Sequence, residues 1–108
     1  MKATIAWWNL DRSEQTINSL RENLKKEEID SWQKIPGLRL KFWISDSNNN
    51  LWGAVMLWEA EHYMSQSLPP NRAMELIGYP PTHRIVFDVE ATTEKEFHAQ
   101  YYEKLELV

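Results

Sequence analysis

The alternation of apolar and polar positions is clearest between Pro36 and Glu59, where two apolar runs flank the polar stretch Asp46-Ser47-Asn48-Asn49-Asn50. Asn tolerates positive φ and bonds its own backbone, so this spacing predicts an antiparallel hairpin. On the first strand Leu38, Leu40, Phe42 and Ile44 fall on one face, with Arg39, Lys41 and Trp43 on the other. On the second, Gly53, Val55 and Leu57 share one face and Trp52, Ala54, Met56 and Trp58 the other. Both faces of that strand are apolar, so each needs a cover.

The same period predicts a strand over Ala3 to Leu10, with Ala3, Ile5, Trp7 and Asn9 opposite Thr4, Ala6, Trp8 and Leu10. Asp11 followed by Glu14 has capping-box spacing. Ile17, Leu20 and Leu24 then recur at helical spacing, which predicts a helix from about Ser13 to about Glu28. Ile29 and Trp32 lie off that stripe, so the helix either broadens its buried face or ends and restarts. Pro36-Gly37 stops it. A short helix is expected over Ala60 to Ser67, ending at Pro69-Pro70, and a second over Asn71 to Ile77 with Gly78 at its C-terminal cap. Tyr79-Pro80-Pro81-Thr82 reads as an extended connector, and His83 to Glu90 as a fourth strand with Ile85, Phe87 and Val89 toward the core. Thr93 and Glu96 open a tail helix through Phe97, Tyr101 and Leu105.

The order β-α-β-β-α-β plus a helical tail predicts one α+β domain over 1–108, with a ferredoxin-like antiparallel sheet and helices on one face. The other sheet face carries large aromatics, and a second copy of the same sheet covers it most simply. A homodimer is expected.

Composition narrows the chemistry. Six Trp in 108 residues call for burial, an interface or a flat ligand. There is no Cys, which excludes a disulfide, a thiolate metal site and a Cys nucleophile. Residues 1–41 hold eight Lys/Arg and six Asp/Glu, and residues 42–108 hold four and ten. Neither half has the basic excess of a phosphate-tracking surface, so nucleic acid is not an expected partner. No apolar run approaches the roughly 18 residues of a membrane span, and no leader pattern is seen, so a cytoplasmic protein without membrane contact is expected.

The lead-in Pro36-Gly37-Leu38, the strand ending Lys41-Phe42-Trp43, the strand from Gly53 to Leu57-Trp58 and the closing Val86-Phe87-Asp88-Val89 resemble the YdhR-like monooxygenases of the dimeric α/β-barrel superfamily. The element order matches from about residue 3 to residue 91. The resemblance implies a two-fold dimer with a pocket between sheet and helices in each subunit. It also implies oxygenation of a flat aromatic or polyketide-like substrate without a resident cofactor. Polyketide-type cyclisation and a non-catalytic ligand-binding or stress-response dimer are the alternatives among such relatives. Some relatives degrade heme, which makes His62 or His83 a candidate heme ligand.

Such chemistry needs an apolar pocket, a base and hydrogen-bonding groups for an oxyanion. His62 and His83 are the candidate bases, with Tyr63 as a further catalytic group. Trp7, Trp43 and Trp58 are candidate stacking walls. Asn9 and Tyr79 are candidate hydrogen-bond partners, and Arg72 a candidate clamp for an anionic group. For any single Trp, core or dimer packing is the simpler reading. Glu59 and His62 have di-iron spacing but lack a second matching pair, so no metal is expected.

Overall fold

A computed structural model describes residues 1–26, 29–67 and 72–93. Four strands, β1 (Lys2–Asn9), β2 (Leu38–Asp46), β3 (Leu51–Trp58) and β4 (His83–Asp88), form one sheet in the order β2-β3-β1-β4. Every neighbouring pair is antiparallel. Helices α1 (Ile17–Lys26) and α2 (Arg72–Ile77) and two 3₁₀ turns, Ile29–Lys34 and Glu61–Ser65, complete the α+β fold. The arrangement is compatible with a ferredoxin-like one. No helix among the described residues is long and apolar enough to cross a membrane. The expected tail helix beyond Thr93, and Pro69-Pro70, lie outside the described residues.

The hairpin closes as its sequence demands. Asp46 Oδ1 accepts the backbone N–H of Asn48 and Asn49 at 3.1 and 3.3 Å, and Oδ2 accepts Asn49 Nδ2 at 2.7 Å. Asn50 takes φ of 55°, the left-handed conformation that Asn tolerates. Leu10 N–H donates to Asn50 C=O, and Asn50 Nδ2 to Asp11, so the turn also fixes the end of β1.

That tie moves the helix start. Asp11 is held in a turn by Asn9 Oδ1, which accepts its N–H, and its carboxylate is engaged by Asn50. The cap is instead Thr16. Its hydroxyl accepts the Ser19 N–H, while Ser19 Oγ accepts the Thr16 N–H. So α1 begins at Ile17 rather than near Ser13. The chain restarts as the 3₁₀ turn that buries Trp32. At the end of α2, Gly78 takes φ of 97° as a C-terminal cap, with its N–H on Met74 C=O.

The register divides the sheet into two unlike faces. Thr4, Trp8, Trp52 and Trp58 point to the helix side and are buried, and Trp8, Leu10 and Trp52 pack with Ile17, Leu20 and Ile77. The opposite face carries Ala3, Ile5, Trp7, Phe42, Ile44, Val55 and Leu57, joined across β1 by His83, Ile85 and Phe87. Among the described residues this face has no cover: Phe42, Ile85 and Phe87 are 42%, 38% and 50% exposed. The expectation that Ile85 and Phe87 face the helix-covered core is therefore corrected. Pairing of Ile5 with Ile85 and Ala3 with Phe87 sets them on the bare face. Leu38 also leaves the expected row, because a register shift between Leu38 and Leu40 pairs it with Trp58.

Candidate ligand-binding site

The candidate residues of the sequence fall into separate groups rather than one pocket. His62 and Tyr63 lie on the Glu61–Ser65 turn, with ring centroids 4.2 Å apart and His62 exposed. Tyr63 packs its ring on Gly37, where an added Cβ would stand 2.1 Å from Tyr63 Cγ. This close approach, with φ of 76° at Gly37, explains why Pro36-Gly37 is the lead-in to β2.

His83 lies toward the other end of the sheet. It is exposed on the bare face and stacks on its cross-strand partner Trp7, with centroids 5.0 Å apart and planes 29° from parallel. Trp7 pairs with Gly53, five positions along β3 from Trp58, roughly 17 Å at the usual strand rise. The two histidines thus serve opposite ends of the sheet.

Asn9 and Tyr79 do meet, but on each other. Tyr79 Oη–H donates to Asn9 C=O at 2.5 Å, and Tyr79 C=O accepts Trp8 Nε1–H at 2.8 Å. The Asn9 side-chain Oδ1 accepts the Asp11 N–H, and the Asn9 backbone N–H donates to Thr82 Oγ1. These bonds fasten the connector after α2 to β1. Trp58 is 1% exposed on the helix side, a core residue with no free face for a ligand.

Trp43 and Arg72 come together in a different place. A cleft between the helix layer and the sheet is lined by Leu20, Asn23 and Leu24 of α1, Trp32 of the 3₁₀ turn, Lys41 and Trp43 of β2, Trp52 of β3, and Arg72, Ala73 and Leu76 of α2. Alternation along β2 sets Lys41 and Trp43 on the helix side. Lys41 Nζ stands 3.1 Å from the centre of the Trp32 ring and 4.8 Å from that of Trp43. This is cation–π geometry. Arg72 Nη1 donates to Glu75 Oε2 at 3.1 Å on the outer side of α2. Three indoles and two cations therefore border one cleft.

Sequence reasoning missed Trp32, Lys41 and Trp52 as site residues. The signal was present in part: a Trp off the helical stripe and a Lys beside Trp43 on one strand face suit one another. No group of three or more His, Asp or Glu placed to hold a metal occurs among the described residues. Nor does a His, Tyr or carboxylate appear among the described residues of the cleft lining.

No family model and no curated protein matches the chain.

Proposed function

We propose that the chain works as a homodimer joined through the bare sheet faces, and that each subunit binds a flat aromatic molecule in the cleft on its helix side. The division of one sheet into a helix-covered face with a Trp-lined cleft and an uncovered apolar face carries this reading. In projection, four strands over six residues span about 400 Å², the scale at which an apolar patch marks an interaction site. Between the strand ends the bare face is mostly apolar, so a second copy meets little desolvation penalty there. A two-fold related copy offers the same flat surface in return.

The cleft lies where the resemblance to dimeric α/β-barrel monooxygenases implies a pocket. That position favours oxygenation of the bound aromatic as a second reading. Binding comes first because His62, His83 and Tyr63 stand outside the cleft, which leaves oxygenation without its expected base. A heme ligated by either histidine has no support from the cleft for the same reason.

Titration of intrinsic Trp fluorescence with hydroxyquinones, phenols and linear polyketide mimics tests the reading. Saturable quenching that weakens in Trp43→Ala is expected. Absence of quenching across the panel contradicts it. Oxygen consumption on adding the bound compound would promote the oxygenase reading.

A further inference from the structure

The strand register sets the bare face out as three rows of four residues across the sheet. Two of the rows are wholly aliphatic and aromatic. The row toward the hairpin turn runs Ile44, Gly53, Trp7, His83, so a single titratable group enters these rows, on the edge strand β4. Its ring stacks on Trp7 with centroids 5.0 Å apart, and the residue is otherwise exposed on that face.

His83 has no counter-ion among the described residues, where its ring makes neither a hydrogen bond nor an ion pair. Arg84, the next residue of β4, pairs with Ala6 on the helix side. On β1 the residues flanking Trp7 on the same face, Ile5 and Asn9, carry no charge. On the connector before β4, Tyr79 Oη–H is bonded to Asn9 C=O and Thr82 Oγ1 accepts the Asn9 N–H. The carboxylates at this end of the sheet are also engaged, Asp11 by Asn50 and Asp46 by Asn48 and Asn49.

We propose that His83 makes the homodimer pH-switchable: subunits join through their bare faces while its imidazole is neutral and separate when it is protonated. The proposal rests on the dimer reading above and adds its regulation. Over the three rows, a two-fold copy sets His83 against an apolar side chain, against Gly53 or against the same histidine of the other subunit. A neutral imidazole is tolerated at each of these positions. A charged one is buried without a counter-ion or faces a like charge. The dimer therefore binds fewer protons than two free subunits. Its association is full above the range where imidazole titrates and is lost as pH falls through that range. Carboxylates titrate lower, near pH 4, so the switch acts on folded subunits.

Sedimentation equilibrium of the full chain at pH 7.5 and pH 5.5, with far-UV circular dichroism at both, tests the switch. An ordinary imidazole is about tenfold more protonated than neutral at pH 5.5, and two must lose their protons in each dimer. The dimer Kd should therefore rise about 100-fold on acidification, with the ellipticity unchanged. His83→Phe and His83→Gln should each dimerise with the same Kd at both pH values. An equal Kd for the wild type at both values overturns the switch and leaves the dimer standing. A pH response that persists in both variants, or that comes with loss of ellipticity, overturns it as well. A wild-type monomer at pH 7.5 overturns the switch and the dimer together.

Discussion

Lys41 and Trp32 form the contact that joins the sheet to the segment after α1, with Nζ 3.1 Å from the ring centre. Such contacts contribute from about 0.5 kcal/mol when exposed to about 2 kcal/mol when desolvated. Trp32 is buried and Lys41 half-buried, so Lys41→Met should cost about 1 kcal/mol, with most of it recovered in Lys41→Arg. Urea denaturation followed by Trp emission measures both. An unchanged midpoint in Lys41→Met would show that the Trp32 ring needs no cation over it.

Gly37 and Tyr63 form the second such junction, at the open end of the hairpin. Gly37→Ala meets two penalties, a left-handed φ and a ring 2.1 Å from the new Cβ. The expected loss is roughly 2–4 kcal/mol. In the double variant with Tyr63→Ala the steric part should disappear, leaving only the backbone part. Additive losses in that cycle would refute the packing account.

Thr4 is 2% exposed on the helix side of β1, and its hydroxyl has no hydrogen-bond partner among the described residues. An unsatisfied buried hydroxyl costs about 1–3 kcal/mol. Thr4→Val keeps the β-branched shape, so it should raise stability by about 1 kcal/mol. Destabilisation on thermal melting would mean that the hydroxyl has a partner in solution.

The acid limb of stability should be set by Asp46 and Asp88. Bonds from the Asn49 side chain and from the backbone amides of Asn49 and Asn48 hold the Asp46 carboxyl below its usual range. The hydrogen bond and charge of Lys2 do the same for Asp88, and in turn raise Lys2. A lowered carboxyl stabilises the fold above its unfolded pKa of about 4, and this is lost as pH falls through the folded value. For raised Lys2 the sign reverses: its contribution is full below about pH 10 and lost as pH climbs beyond. Urea midpoints across an acid series should fall below pH 4, and less steeply in Asp46→Asn. Parallel curves for the two proteins would remove the turn from the account. The exposed Lys2–Asp88 pair should weaken with salt.

The hairpin, the four strands and the C-terminal cap at Gly78 were legible because each depends on local chemistry: an Asn-rich turn, period-two alternation, and a position that suits positive φ. The start of α1 was not, because Asp11 and Glu14 have the spacing of a capping box while Asn50, distant in sequence, claims Asp11. The face of β4 was also misread. His83, Ile85 and Phe87 alternate like a core row, and only pairing with β1 reveals that their side is bare. Of the candidate residues, Trp43 and Arg72 lie together at the cleft, whereas Trp7, Trp58 and both histidines, grouped with them on residue type, lie elsewhere. Separation between sheet faces and along a strand is a property of register, which residue type does not encode.

Sedimentation equilibrium of the wild type and of Phe42→Lys tests the two-faced sheet most directly. The wild type should run at twice the chain mass of 12.9 kDa at micromolar concentration. Phe42→Lys, which sets a charge among the exposed apolar side chains of the bare face, should run as a folded monomer. A wild-type monomer, or a dimer that survives Phe42→Lys unchanged, would contradict assembly through this face.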